Sequence, residues 1–219
     1  MCGIAAIFAY REEAPPVDRT SLIRMREAME RRGPDGSGMW ISEDGRIGLA
    51  HRRLAIIDLA ETGSQPMATP DGSLRIVFNG EIYNYRELRQ RLESKGYEFR
   101  SKSDTEVLLY LYQEYRDEVV EQLRGMYAFA IYDLKNRELF LARDPHGIKP
   151  LYYADDGSTF RVASQVKTLL KGGHIDAAPD PAGRVGFYLW GHVPEPYTMY
   201  RHIRAVPAGT TLSISGESR

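Results

Sequence analysis

The second residue of the chain is Cys2, the only cysteine among 219 residues. Removing Met1 would leave a thiol and a free α-amino group on that one residue. A thiolate attacks carbonyl carbon well, whereas a neutral thiol does not. An α-amino group, with an ordinary pKa of about 7.7 to 8.0, can take the thiol proton near neutral pH. One residue then supplies both nucleophile and base, and the chemistry this invites is acyl transfer.

Four more clusters share the first half of the chain. They are Arg32-Gly33-Pro34-Asp35-Gly36, His51-Arg52-Arg53-Leu54-Ala55-Ile56-Ile57-Asp58, Asn79-Gly80-Glu81-Ile82-Tyr83-Asn84 and Ser103-Asp104-Thr105-Glu106. Each has an ordinary explanation on its own: a Gly-Pro-Asp-Gly turn, a surface arginine at Arg53, a hairpin turn at Asn79-Gly80, a helix-end carboxylate at Asp104. Their interest lies in occurring together behind Cys2. His51 and His146 could suggest a cysteine-histidine dyad, but neither sits in a dyad context, and a thiol beside its own amino group needs no histidine.

The elements that must position these residues are short. Apolar or alternating runs predict strands at Ile4–Tyr10, Met39–Ser42, Ile47–Arg53, Leu74–Asn79, Tyr127–Asp133, Glu138–Arg143 and Tyr152–Tyr153. Helical spacing falls between them, at Thr20–Arg31, Tyr85–Lys95 with Gly96 as a stop, Thr105–Tyr115, Val166–Lys171 and Pro181–Leu189. Ser103 and Glu106 fit a capping box for the third helix. Asp71-Gly72 and Asn136-Arg137 read as turns between apolar runs, which favours antiparallel sheets packed with helices over alternating βαβ units. The small, polar Ser213–Arg219 stretch is expected to fray.

Composition narrows the function classes. Lysine plus arginine total 29 against 30 acidic residues, so the net charge of −1 gives no broad electrostatic footprint for nucleic acid or anionic lipid. No run approaches membrane-spanning length, there is no leader pattern, and one cysteine cannot form an internal disulfide. A cytoplasmic protein of one domain, residues 1–219, is expected. The five histidines are scattered, so no metal site is expected.

Taken with Met1-Cys2-Gly3-Ile4, the four clusters resemble the glutaminase domain of the class II, N-terminal-nucleophile glutamine amidotransferases, and in particular that of glutamine-hydrolysing asparagine synthetases. Later segments join the resemblance: Gly125–Ala130, Arg143-Asp144-Pro145-His146-Gly147-Ile148-Lys149-Pro150-Leu151-Tyr152-Tyr153, Ala163–Lys167, and Val193–Pro196 through Ile203–Gly209. It implies an α+β fold, a four-layer αββα sandwich of two antiparallel sheets between helices, and the hydrolysis of L-glutamine to L-glutamate and ammonia with no cofactor.

The resemblance also implies the roles. Cys2 would form a glutamyl thioester, with the Asn79 side-chain amide and the Gly80 N–H as oxyanion donors. Arg53 would hold the substrate carboxylate, Asp104 and Glu81 its ammonium, and the backbone of Leu54 to Ile57 would line the pocket. These assignments suit the residues, since a guanidinium fork matches a carboxylate and a carboxylate matches an ammonium. The Arg143-Asp144 segment is read as a structural loop. Gln165 stands where the family usually shows an acidic residue. The serine-glycine-glycine-x-aspartate-serine loop of the synthetase domain is missing, so this chain alone is not expected to use ATP or make asparagine.

Ammonia is lost as a nucleophile once protonated, so an acceptor-activating partner is expected, an ATP-using synthetase domain or subunit. The proline- and aromatic-rich Val193–Gly209 segment is the candidate partner face. The resemblance leaves room for a homodimer. The alternative is a catalytically silent domain that senses glutamine or binds a partner, should Met1 be retained.

Overall fold

The structure, a computed structural model, describes residues 1–216. Among them, one antiparallel sheet holds β1 (Gly3–Ala9), β2 (Gly36–Ile41), β3 (Ile47–Arg53), β8 (Tyr152–Asp155), β9 (Thr159–Ala163) and β10 (Arg204–Ala205), in the order β10-β8-β9-β1-β3-β2. The other holds β4 (Met67–Ala68), β5 (Leu74–Ile82), β6 (Gly125–Asp133), β7 (Glu138–Arg143) and β11 (Thr211–Ser215), in the order β11-β7-β6-β5-β4. The helices are α1 (Arg19–Glu27), α2 (Tyr85–Ser94), α3 (Asp104–Tyr115), α4 (Val166–Gly172) and α5 (Pro181–Trp190).

Strand alternation assigns the layers, because successive side chains face opposite sides of a sheet. In β1, Ile4, Ala6 and Phe8 meet Val77, Ala128, Ala130 and Tyr132 of the second sheet, while Ala5 and Ile7 pack on Leu22, Met25 and Leu169 of α1 and α4. In β5 and β6, Ile76, Phe78, Phe129 and Ile131 face the other way, toward Leu88, Val107, Leu108 and Leu111 of α2 and α3. The result is the expected α+β sandwich, helices outside and two sheets inside. The same parity directs the chemistry. Cys2 shares the parity of Ile4, and Asn79 that of Val77, so both side chains belong to the inter-sheet faces.

Helix α3 is buried along its length from Asp104 to Tyr112. Val107, Leu108 and Leu111 each contribute roughly 1.5–3 kcal/mol by burial, enough to hold a charged first residue in an apolar setting. The capping box forms only in half. Ser103 Oγ accepts from Thr105 N at 3.1 Å, but the Glu106 carboxylate turns past Ser103 to accept from the backbone of Arg100 and Ser101. It thereby ties down the loop entering the helix.

Three expectations need correction. The helix expected at Thr20–Arg31 ends at Glu27, and a separate 3-10 turn spans Glu30–Arg32. That break turns Arg32 back so that its Nε donates to Cys2 O at 3.0 Å. The expected frayed tail is a strand through Ser215, because Leu212 and Ile214 pack on the inter-sheet core and β11 pairs with β7. Residues 217–219 of that tail lie outside the described residues. Strands β4, β9, β10 and β11 were not expected. β4 and β10 have two residues each and show no period, and β9 carries Arg161, whose charge is met by Asp156 at 2.7 Å.

Candidate active site

Cys2 stands one residue before β1, whose pairing with β3 runs from Gly3↔Arg52, so the thiol sits beside the end of β3. Its Sγ accepts from Leu54 N at 3.3 Å. Burial pushes the thiol pKa up, against the Leu54 bond and the positive charges of the amino terminus and Arg53. A neutral thiol therefore rests here and requires a base. The amino terminus of the chain, at Met1, is held below its ordinary value by burial and by the charges of Arg32 and Lys149.

The Arg32–Gly36 cluster is the clamp on this corner. A Cβ on Gly33 would lie 2.3 Å from the Arg52 carbonyl carbon, so only glycine lets the segment close on β3. Asp35 N donates to Arg53 O at 3.0 Å, and Ala55 N donates to Asp35 Oδ2 at 2.9 Å.

Asn79 and Gly80 lie inside β5, not in a turn. Tyr127, opposite Gly80, directs its N–H and C=O away from β5, to the Asp144 carboxylate and the Asp144 N–H. Gly80 and its even-numbered neighbours therefore direct theirs to the other edge of β5. β4 covers that edge only as far as Ile76. Beyond it, side chains do the work of a strand. Phe78 N donates to Gln65 Oε1 at 2.6 Å, His51 Nε2 meets Phe78 O at 3.2 Å, and Ile82 N donates to Asp104 Oδ2 at 3.0 Å. Between them the Gly80 N–H faces the cleft. Asn79 is buried, and its Nδ2 finds no partner among the described residues. A buried amide donor left this way costs about 1–3 kcal/mol unless something completes it.

Asp104 opens α3 at the other side of the cleft. Burial pushes its carboxyl up to about 6, with Glu81 adding to the rise, while N–H bonds from Ile82, its own backbone and Thr105 oppose it. A carboxylate so placed gains most from an incoming cation. Arg53 is held by the loop after β3: its Nη1 donates to Ala60 O at 2.9 Å and its Nη2 to Asp58 O. Two of the guanidinium's five donors are thus engaged, and the rest of the fork is available to a ligand. The Asp58 carboxylate accepts from Ala60 N and Lys102 N, joining this loop to the one that enters α3.

Cys2, Arg53, Leu54, Ile57, Asn79, Gly80, Glu81 and Asp104 all line one cleft of about 260 Å³. Gln65, Lys149, Met126 and Thr105 also line it, and sequence reasoning missed them. Lys149 lay within the segment read as structural. Arg143 and Asp144 do support that loop: Arg143 donates to the carbonyls of Gly147, Lys149 and Val206, and Asp144 accepts from the N–H groups of His146, Ile148 and Lys149. His51 is fully buried against Phe78 O and His146 is exposed, so neither pairs with Cys2. Among the described residues, no group of three or more His, Cys, Asp or Glu side chains is set to hold a metal ion. Nor, among them, is any helix long and apolar enough to cross a membrane.

The family model described as "Glutamine amidotransferase domain" matches residues 1–219. The chain belongs to that family. Within it, asparagine synthetase [glutamine-hydrolyzing] 1 of Bacillus subtilis is 41% identical over 215 residues, 98% of this chain and 33% of its own. A putative asparagine synthetase [glutamine-hydrolyzing] 2 of Methanocaldococcus jannaschii is 35% identical, over 100% of this chain and 45% of its own. This amidotransferase domain spans about a third of the length of the Bacillus relatives it matches. Among solved structures, the B. subtilis glutamine phosphoribosylpyrophosphate amidotransferase complexed with ADP and GMP superposes with a TM-score of 0.64 at 25% identity, over 78% of this chain and 44% of that one. An allosteric regulatory enzyme of purine biosynthesis gives a TM-score of 0.69 at 24% identity, over 98% of this chain and 47% of that one, and shares the fold. The domain is thus of class II, the N-terminal-nucleophile kind.

Proposed function

We propose that the domain, once Met1 is removed, hydrolyses L-glutamine to L-glutamate and ammonia through a thioester on Cys2. The observation that carries this reading is the conjunction, in one cleft, of the chain's one thiol with a buried Asn79 amide donor that has no partner among the described residues.

In the proposed cycle the Cys2 sulfur bonds to the side-chain amide carbon of glutamine while its proton passes to the Cys2 α-amino group. The carbonyl oxygen becomes an oxyanion held by Asn79 Nδ2 and the Gly80 N–H. The C–N bond then breaks, the amine returns its proton to the leaving nitrogen, and ammonia departs. Water attacks the thioester, giving up a proton to the same amine, and the C–S bond breaks to release glutamate as the sulfur takes that proton back from the amine. Arg53 takes the substrate α-carboxylate, Asp104 with Glu81 the α-ammonium, and backbone groups from Leu54 to Ile57 complete the wall.

The ammonia is proposed to pass to an acceptor activated by an ATP-using synthetase domain or subunit, as the names of the relatives suggest. The candidate docking face is the 193–209 segment with α5 beside it, where Tyr188, Leu189, Trp190, Tyr197 and Met199 are exposed. Alanine substitutions there that left partner-coupled activity intact would count against that face.

Intact-mass measurement after treatment with an electrophilic glutamine analogue tests the core of the proposal. Loss of Met1 and one adduct on Cys2, suppressed by excess glutamine, is the expected result. A chain that keeps Met1 and forms no glutamine-protectable adduct would make this a silent glutamine-sensing or partner-binding domain.

A further inference from the structure

The free edge of β5 carries an arrangement that the cycle above does not use. The β4–β5 register runs Met67↔Ile76, which would set Gln65 opposite Phe78 if the ladder continued. It does not continue. The Gln65 backbone turns toward β2 instead, where a Cβ on Gly38 would come within 1.8 Å of Gln65 O. The Gln65 side chain takes over the pairing that the backbone gave up. Its Oε1 accepts from Phe78 N at 2.6 Å, and its Nε2 donates to Thr105 Oγ1 at 3.2 Å. Phe78 is the residue before Asn79, and Thr105 the residue after Asp104. One buried amide therefore bolts the strand bearing the oxyanion donors to the helix bearing the buried carboxylate. His51 meets the carbonyl of the same Phe78 from β3, so both polar groups of the Phe78 backbone are fixed by side chains.

We infer that Gln65 is a positioning residue for glutamine hydrolysis, holding β5 against α3 so that the Asn79 amide and the Gly80 N–H converge on the oxyanion. This rests on the reading of Asn79 and Gly80 given above. The physical basis is that, among the described residues, no strand covers the second edge of β5 where its donors matter. A backbone fastened only on its β6 side can shift along its free edge, and oxyanion donors lose their value over displacements of about 1 Å. Gln65 itself touches no reacting atom in this scheme. Its effect should fall on the transition state and leave ground-state binding almost alone.

The test compares Gln65→Met, which keeps length and volume but removes both hydrogen bonds, with Gln65→Glu, whose carboxylate can accept from Phe78 N–H and from the Thr105 hydroxyl. Two affinities accompany glutaminase kinetics. One is for glutamate. The other is for the γ-aldehyde analogue of glutamine, which takes up the Cys2 thiol across its C=O so that sulfur bonds to carbon and the proton goes to the resulting oxygen, in the oxyanion site. For Gln65→Met, kcat should fall about 10- to 100-fold with KM within about threefold. Aldehyde affinity should fall by the same factor as kcat, and glutamate affinity should stay within about twofold. Gln65→Glu should recover most of the loss. In an Asn79→Ala background, Gln65→Met should cost several-fold less than it does in the wild type, because one of the two donors it positions is already gone.

Unchanged kcat in Gln65→Met, or an equal loss of glutamate and aldehyde affinity, would overturn the inference. If Asn79→Ala itself left kcat unchanged, the oxyanion reading would fail instead, and the two failures are separable. Should Gln65→Met not fold, Thr105→Val decides: it removes only the bolt to α3, and a kcat loss there with unchanged glutamate affinity supports the inference, while no loss refutes it.

Discussion

Asp104→Asn should make the protein more stable and a worse catalyst, and the size of the first effect follows from the structure. Burial raises the Asp104 carboxyl from 3.8 to about 6. Keeping it ionised at pH 7 then costs the fold roughly 3 kcal/mol, at about 1.4 kcal/mol for each pH unit between the two values. The sign follows from proton counts. Between pH 3.8 and about 6 the folded state retains a proton that the unfolded chain has lost, so this contribution is fully present below 3.8 and declines until the pH passes about 6.

Asparagine does not titrate, and its side-chain oxygen can still accept from Ile82 N, as Asp104 Oδ2 does at 3.0 Å. The stability gap between variant and wild type, measured by urea unfolding, should therefore be near zero at pH 4, grow with pH, and level off near pH 7 at up to roughly 3 kcal/mol. Other carboxylates titrate in both proteins and cancel in the difference. Meanwhile KM for glutamine should rise about 10- to 100-fold, the usual value of a charge-assisted bond. A gap that stays flat from pH 4 to 7, or a variant less stable at pH 7, would refute the argument that burial dominates this carboxyl.

Asn79→Ala should lower kcat by about 10² to 10³ with KM changed a few fold at most, as expected for one oxyanion donor, and a silent substitution would refute that role. His51, pushed down to about 3 by burial and by the Arg53 charge against its bond to Phe78 O, stays neutral when folded. Its contribution is complete above pH 6.5 and is lost as pH falls from 6.5 toward 3, at about 1.4 kcal/mol per pH unit. His51→Gln should flatten that part of the urea-unfolding profile, and an unchanged slope would show that His51 is not the group responsible. Gln165 is the N-cap residue of α4 with no side-chain capping bond, and its buried Oε1 has no partner among the described residues. Gln165→Asp should cap the helix and add about 0.5–2 kcal/mol, a rise of a few degrees in Tm; no rise would mean that the helix end is already satisfied.

Much of this site was legible in the chain because its logic is local. Residue type marked Cys2 as a candidate nucleophile, with its own α-amino group as base once Met1 is removed. Apolar runs in Ile4–Tyr10 and Leu74–Asn79 marked the strands beside Cys2 and around Asn79. Three of the four polar clusters, ordinary one by one, supply residues to a single cleft, and the fourth, Arg32–Gly36, clamps its corner. The tail was misread for a related reason: a Thr-Leu-Ser-Ile-Ser strand alternates correctly, but its small polar residues look like a fraying end until β7 is beside it.

What the sequence by itself determined is which residues could do chemistry and which short runs form the elements around them, since side-chain chemistry and apolar patterning need no neighbours to act. Tertiary structure alone decided the rest. The premature end of β4 opened an edge of β5 where Gln65, His51 and Asp104 substitute for a strand. The burial of α3 raised Asp104, and the return of the 54–63 loop engaged Arg53. Those properties depend on distance, desolvation and missing partners between segments far apart in the chain, and no local pattern of residues encodes them.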